Sequence, residues 1–182
     1  MSYSSPETTF KTFAVLRVMG DLLDPAEITD VLKRSPTAAH GKNEKYYMGE
    51  RSGFVQGRTG VWMLSTDKII KSNDFNDHLS AILAVLVLDH VEAMLQEHTR
   101  PWLLRWFHPM PLPGFLLVRG RLARLKALME SKGFRADLRC VWFGTPNATP
   151  PVIPLWVQAL FAAIPITIEK NFDTESAGAL SA

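Results

Sequence analysis

Few side chains in this 182-residue chain are placed to do chemistry. The five histidines, His40, His78, His90, His98 and His108, are scattered. His90 and His98 stand two helical turns apart with Glu97 beside one of them, but there is no H-E-x-x-H pair. Cys140 is the only cysteine, so neither a disulfide within the chain nor a cysteine-built zinc site can form. It lies in an apolar run, where a thiol packs as a small hydrophobe. A nucleophilic cysteine needs a cationic, exposed setting, and Arg139 alone does not provide one. G-x-S-x-G, G-x-x-x-x-G-K-[ST] and G-x-G-x-x-G are all missing. These motifs therefore nominate no catalytic residue, no metal and no cofactor.

Two places keep some chemical promise. Asp21 and Asp24 flank a tight turn, and a carboxylate pair could do acid and base work in a cleft. Helix capping accounts for Asp24, whereas Asp21 has only the general liking of Asp for turns behind it. Asp21 with His40, near Trp62, is the site of the alternative reading, a small enzyme of unrecognised class. The other place is the stretch Thr37 to Arg58, with Gly53, Gly57 and Gly60 near Arg51 and Arg58. Such glycines could cradle an anion or simply make turns. The same stretch mixes cations with aromatics, the residue types that carry binding energy at interfaces. The expected partner-binding set is His40, Lys42, Tyr46, Tyr47, Arg51, Arg58 and Trp62, with Lys45 among them, facing a protein partner.

The elements that must position these residues follow from periodicity. Phe13 to Met19 is apolar on both faces except at Arg17, which predicts a central strand. Asp24-Pro25-Ala26-Glu27 spells a helix start: a capping carboxylate, a proline with no N–H to strand, and a Glu placed to close a capping box. Leu23 and Ile28 have hydrophobic-staple spacing, Ile28, Val31 and Leu32 form the buried stripe, and Pro36 is the expected stop. His40 to Arg58 shows neither period and reads as a long loop, of the kind that is usually functional or mobile. Gly60 to Ser65 returns as a strand.

Gly20-Asp21, Leu23-Asp24-Pro25, Ile28-Thr29, Leu32, Pro36-Thr37, Gly41 and Gly60-Val61-Trp62 form an ordered series that resembles the bacterial domain-of-unknown-function family numbered 4279. The series covers the first third of the chain. The resemblance implies a fold and a bacterial source, and no reaction.

Further on, Phe75, Leu79, Ile82, Leu83, Leu86, Val91, Met94 and Leu95 recur at helical spacing, as one helix or two. Arg100 to Gly114 holds four prolines and is a connector; its Trp102, Trp106 and Phe107 either fold over the core or form a binding patch. Phe115 to Arg119 reads as a strand and Arg121 to Ser131 as a helix stopped by Gly133. A strand follows over Phe134 to Phe143, then a helix from Pro154 to Ile164 and a strand from Ile166 to Phe172.

Hydrophobic residues make up 47% of the chain, enough for a real core, and the expectation is one domain over 10–172 between loose ends at 1–9 and 173–182. The first residues carry no signal-peptide pattern, and the longest apolar run, Leu79 to Leu88, is too short for a bilayer, so a cytoplasmic protein is expected. The formal charge of +2 implies no polyanion partner. Arg119 to Arg139 is locally basic, yet a solvated helix beside strand edges reads the same way, and nucleic acid is not expected.

The fold expected is α+β, a largely antiparallel sheet with helices packed on one face. Phe13 to Leu64 and Arg135 to Phe172 share an element order, which leaves a pseudo-duplicated β-α-β arrangement open beside coincidence. The function expected is a non-enzymatic protein-interaction module of immunity or accessory type.

Overall fold

The computed structural model describes residues 11–47, 53–87, 120–144 and 149–174. β1 (Lys11–Gly20) is the middle strand of a five-stranded sheet. β5 (Gly60–Ser65) flanks it on one side and β6 (Arg135–Gly144) on the other, both antiparallel to it. β2 (Ala38–His40) pairs antiparallel with β5 at one edge, and β7 (Ile166–Thr174) pairs parallel with β6 at the other. β1 is thus paired on both sides, with Ala14, Leu16 and Val18 buried on one face and Phe13, Arg17 and Met19 half-buried on the other.

Register decides which side chains share a face. Ala14 lies opposite Cys140, Leu16 opposite Leu138 and Leu64, and Val18 opposite Ala136 and Trp62. Continued through Ile166, Ile168 and Phe172 on β7, this row makes the core face of the sheet. Among the described residues, four helices lay their apolar stripes on it: α1 (Pro25–Leu32), α2 (Phe75–Val87), α3 (Arg121–Lys132) and α4 (Leu155–Ala163). Each fully buried large aliphatic side chain in this layer contributes about 1.5–3 kcal/mol through removal from water.

α1 starts as its sequence predicts and ends differently. The Asp24 side chain accepts the Ala26 N–H at 2.9 Å, a cap whose loss costs about 1 kcal/mol. Glu27 does not complete a capping box; its carboxylate takes the Lys132 ammonium at 2.7 Å and ties α1 to α3. The helix stops before Pro36 comes into play, because Lys33 turns into the left-handed region at φ 50°. α3 ends, as expected, on Gly133 at φ 67°, with its N–H returned to the Met129 carbonyl.

The stretch expected to be an irregular loop contains three short strands. Besides β2 it holds β3 (Lys45–Tyr47) and β4 (Phe54–Gln56), which form a separate two-stranded sheet. Three residues per strand are too few to show a period, which is why alternation did not reveal them. The shared element order of the two halves does not extend to pairing: β1 meets β5 antiparallel, whereas β6 meets β7 parallel through α4. The halves are therefore not copies of one arrangement.

The opposite face of the sheet carries charge. Arg17 donates to Asp137 Oδ2 from Nε at 3.0 Å and from Nη2 at 2.6 Å, and Arg139 Nε stands 2.7 Å from Glu169 Oε2. These four side chains sit on adjacent rows of β1, β6 and β7. Asp137 is buried there, 4% exposed.

A buried polar knot joins β1 to the start of α2. Thr66 Oγ1 accepts the Ala14 N–H at 2.9 Å and lies 2.7 Å from His78 Nδ1, while His78 Nε2 donates to the Ser72 carbonyl at 2.9 Å. Because a carbonyl can only accept, Nε2 carries a proton, and the Thr66 hydroxyl lies within hydrogen-bond reach of both His78 Nδ1 and the Ala14 carbonyl, at 3.1 Å from the latter. Both residues are buried with every partner found inside the protein.

The helix expected beyond Val87, the aromatic connector, the strand Phe115 to Arg119 and residues 1–10 and 175–182 lie outside the described residues; β7 runs on through Asp173 and Thr174, paired with Phe143 and Gly144, two residues into the stretch expected to be a loose tail. Among the described residues, no helix is long and apolar enough to cross a membrane.

Candidate functional site

The cation and aromatic residues between β2 and β5 are held by a compact set of backbone ties. The Gly41 N–H donates to Glu44 Oε2 at 2.6 Å, and Asn43 takes a left-handed φ of 65° to turn the chain. Asn43 N–H then reaches the Gly57 carbonyl at 2.8 Å and Gly57 N–H the Glu44 carbonyl at 2.9 Å, closing the base of the β3–β4 hairpin. His40, at the end of β2, stacks flat on Tyr46 with ring centroids 4.0 Å apart. That stack requires a glycine beneath it, since a Cβ on Gly57 would stand 2.6 Å from His40 Nδ1.

The hairpin shows its aromatic side to water. Tyr47 and Phe54 face each other across the ladder, edge to face at 5.5 Å, and are 56% and 75% exposed. Phe54 was not among the residues singled out from the sequence. Its signal was there, an aromatic beside Gly53, but it becomes legible only when Tyr47 and Phe54 are known to pair. Lys45 and Arg58 are exposed on the same segment.

Lys42 is engaged with the turn after β1: its Nζ donates to Asp21 Oδ2 at 2.6 Å. Hydrogen bonds from Lys42 and then Thr59, with the Lys42 charge, hold the Asp21 carboxyl below its ordinary pKa. Asp21 is thus an ionised anchor for the loop. Asp21 is spent on Lys42, and the His40 ring on Tyr46 and the Gly41 carbonyl.

Trp62 is a correction to the expected surface set. It points into the core, 0% exposed, and its Nε1 donates to Thr29 Oγ1 at 3.1 Å. Parity explains it: β5 alternates buried and half-buried positions from Gly60, and Trp62 falls on the core row opposite Val18. Arg51 lies outside the described residues. The structure therefore brings His40, Lys42, Tyr46, Tyr47 and Arg58 to one projection and takes Trp62 away from it.

Other candidates take ordinary places. Cys140 is buried on the core row, and burial pushes its thiol up to about 12. Within the basic stretch, Arg121 is buried and donates to the Val85 carbonyl at 3.4 Å, Lys132 meets Glu27, and Lys126 meets Glu130 at 3.8 Å. Among the described residues, no three His, Cys, Asp or Glu side chains converge on a common point.

A five-stranded, mostly antiparallel sheet under helices, with a small second sheet projecting from it, defines an α+β protein. Residues 8–177 match the model of the domain of unknown function DUF4279, and the chain belongs to that family. No curated protein and no solved structure matches it.

Proposed function

We propose that this chain is a protein-interaction module of immunity or accessory type, acting in the bacterial cytoplasm, and that its β3–β4 hairpin is the contact surface. The observation that carries this reading is the pairing of Tyr47 and Phe54 as large aromatics in water, on a hairpin with Lys45 and Arg58. Their cross-strand packing steadies the hairpin by about 0.5–1.5 kcal/mol and still leaves both rings largely in water, a placement that favours a role in contact. Aromatic and Arg side chains anchor interfaces because they bring area and hydrogen bonds together at low entropic cost. The Asp21–Lys42 ion pair and the His40–Tyr46 stack hold the projection before any partner arrives.

The test is co-purification with the product of the adjacent gene, followed by titration of the purified pair. In the double variant Y47A/F54A, affinity should fall by about a hundredfold, the weight of two anchor residues. Its circular dichroism and thermal midpoint should match the parent. Unchanged affinity in a folded double variant would remove the hairpin as the surface.

A further inference from the structure

The described helices do not all meet water in the same way. α1 presents Asp30 and Lys33 to it, and α3 presents Arg124, Glu130 and Lys132, the charged outer faces expected of helices lying on a sheet. α4 buries Val157, Leu160 and Phe161 on its inner side but carries no charged residue; its exposed positions are Leu155, Gln158, Ala159 and Ala162. The flanks supply no charge either, since no Asp, Glu, Lys, Arg or His stands between Arg139 and Glu169.

Val152, just before the helix, is 83% exposed and Leu155 is 82% exposed, the two most open large apolar side chains among the described residues. Pro165, just after the helix, is exposed as well. A lone aliphatic in water is ordinary, whereas a continuous uncharged strip marks a contact surface. The strip is also held in place. Ile153 is buried between the two exposed aliphatics, and Gln158 Nε2 donates to its carbonyl at 2.8 Å, tying the extended entry to the first turns of α4.

The spacing along the strip favours one occupant, a second copy of this chain. Residues 155, 158, 159 and 162 fall on one helical face, and a two-fold axis between Gln158 and Ala159 maps that set onto itself. Leu155 then meets the partner's Ala162, and Val152 lies toward the partner's Pro165. The large helical side chain falls on a small one at both ends of the contact, and Ala159 near the axis lets the two backbones approach to about 8 Å, the short end of helix spacing. Because the strip holds no charge, its meeting with its own copy strands no ion out of water.

We infer that two copies of this chain associate through α4, the helices packed antiparallel across a two-fold axis. α4 is only about 14 Å long, and a strip of this length falls short of the roughly 800 Å² that each partner gives to a standard interface. The dimer is therefore weak, with a dissociation constant of roughly 10–300 µM. The contact shares no residue with the hairpin and does not depend on it.

Sedimentation equilibrium of the full chain, from about 5 µM to about 1 mM, tests the inference. The average mass should climb from one chain toward two and level there. L155K and A162E, each at an exposed position, should weaken association by about tenfold or more with unchanged circular dichroism. The double variant L155K/A162E sets each new ammonium against a new carboxylate of the other copy. It should associate about tenfold more tightly than either single variant at low salt, and lose that gain at about 500 mM salt. Y47A/F54A should leave the association unchanged, which keeps this contact distinct from the hairpin. The inference is overturned by a chain that stays monomeric at about 1 mM, by a dimer that survives L155K and A162E, or by a double variant no tighter than the single ones.

Discussion

Cys140 shows how burial alone can silence a reactive group. Its thiol, raised to about 12, stays protonated where an unfolded chain would ionise from about 9.0. The folded form binds the extra proton between those values, so this residue's contribution is intact below about pH 9 and is lost as pH rises toward 12. Native protein at about pH 8 should resist a thiol reagent that labels it fully once unfolded. Between about pH 9 and 10.5 the denaturant midpoint should fall more steeply than in C140A, measured side by side. His78 makes the opposite point: it is a buried group kept by its partners. H78L should cost about 2 kcal/mol, read from chemical denaturation, because Thr66 and the Ser72 carbonyl both lose a bond. Single residues were legible in type and less so in address. Cys140 and Leu138 announced themselves as core by their apolar neighbours. Trp62 looks like a surface aromatic in the sequence, because alternation alone does not say which parity of its strand faces the helices.

At the scale of elements, the capped start of α1 and the glycine end of α3 were readable because both depend on local chemistry alone. The diversion of Glu27 to Lys132 was not, since the partner lies 105 residues away. The β3–β4 hairpin escaped for a different reason: its strands are too short for any period to register. Its physical status also differs from that of the main sheet. A two-stranded ribbon is marginal on its own in water, and this one leans on the Gly41–Glu44 turn and the His40–Tyr46 stack. Amides of Tyr46 and Val55 should therefore exchange with deuterium by local opening, far faster than those of Leu16 and Leu138. Equal protection in the two sheets would mean that the hairpin opens only with the whole protein. G57A should accelerate that exchange further, by displacing His40, without moving the global midpoint.

The whole molecule is held together by the central antiparallel trio β5, β1 and β6. Across it, Arg17 and Asp137 form the most buried ion pair described, at 2.6 Å. D137A should cost about 3 kcal/mol, because the half-buried Arg17 guanidinium keeps only the longer contact to Glu169, at 3.9 Å. Replacing both, R17M/D137L, should recover much of that loss in the same denaturation assay. Restoring nothing would show that the pair, rather than the packing around it, sustains this face. The α+β class was legible from the sequence because helix and strand periods alternate along the chain. Pairing was not, because the likeness between the halves lies in the order of elements and β7 runs parallel where β5 runs antiparallel.

The span of 120 residues between Arg17 and Asp137 also bears on how the molecule is made. A ribosome delivers β1, α1 and β5 long before β6, so the middle strand leaves the exit tunnel with one flank bare. Those waiting N–H and C=O groups form a templating edge of the kind that recruits neighbouring chains. Shielding of that edge until Arg135–Gly144 emerges should therefore govern yield, and slowed translation should appear as inclusion bodies before any loss of native stability.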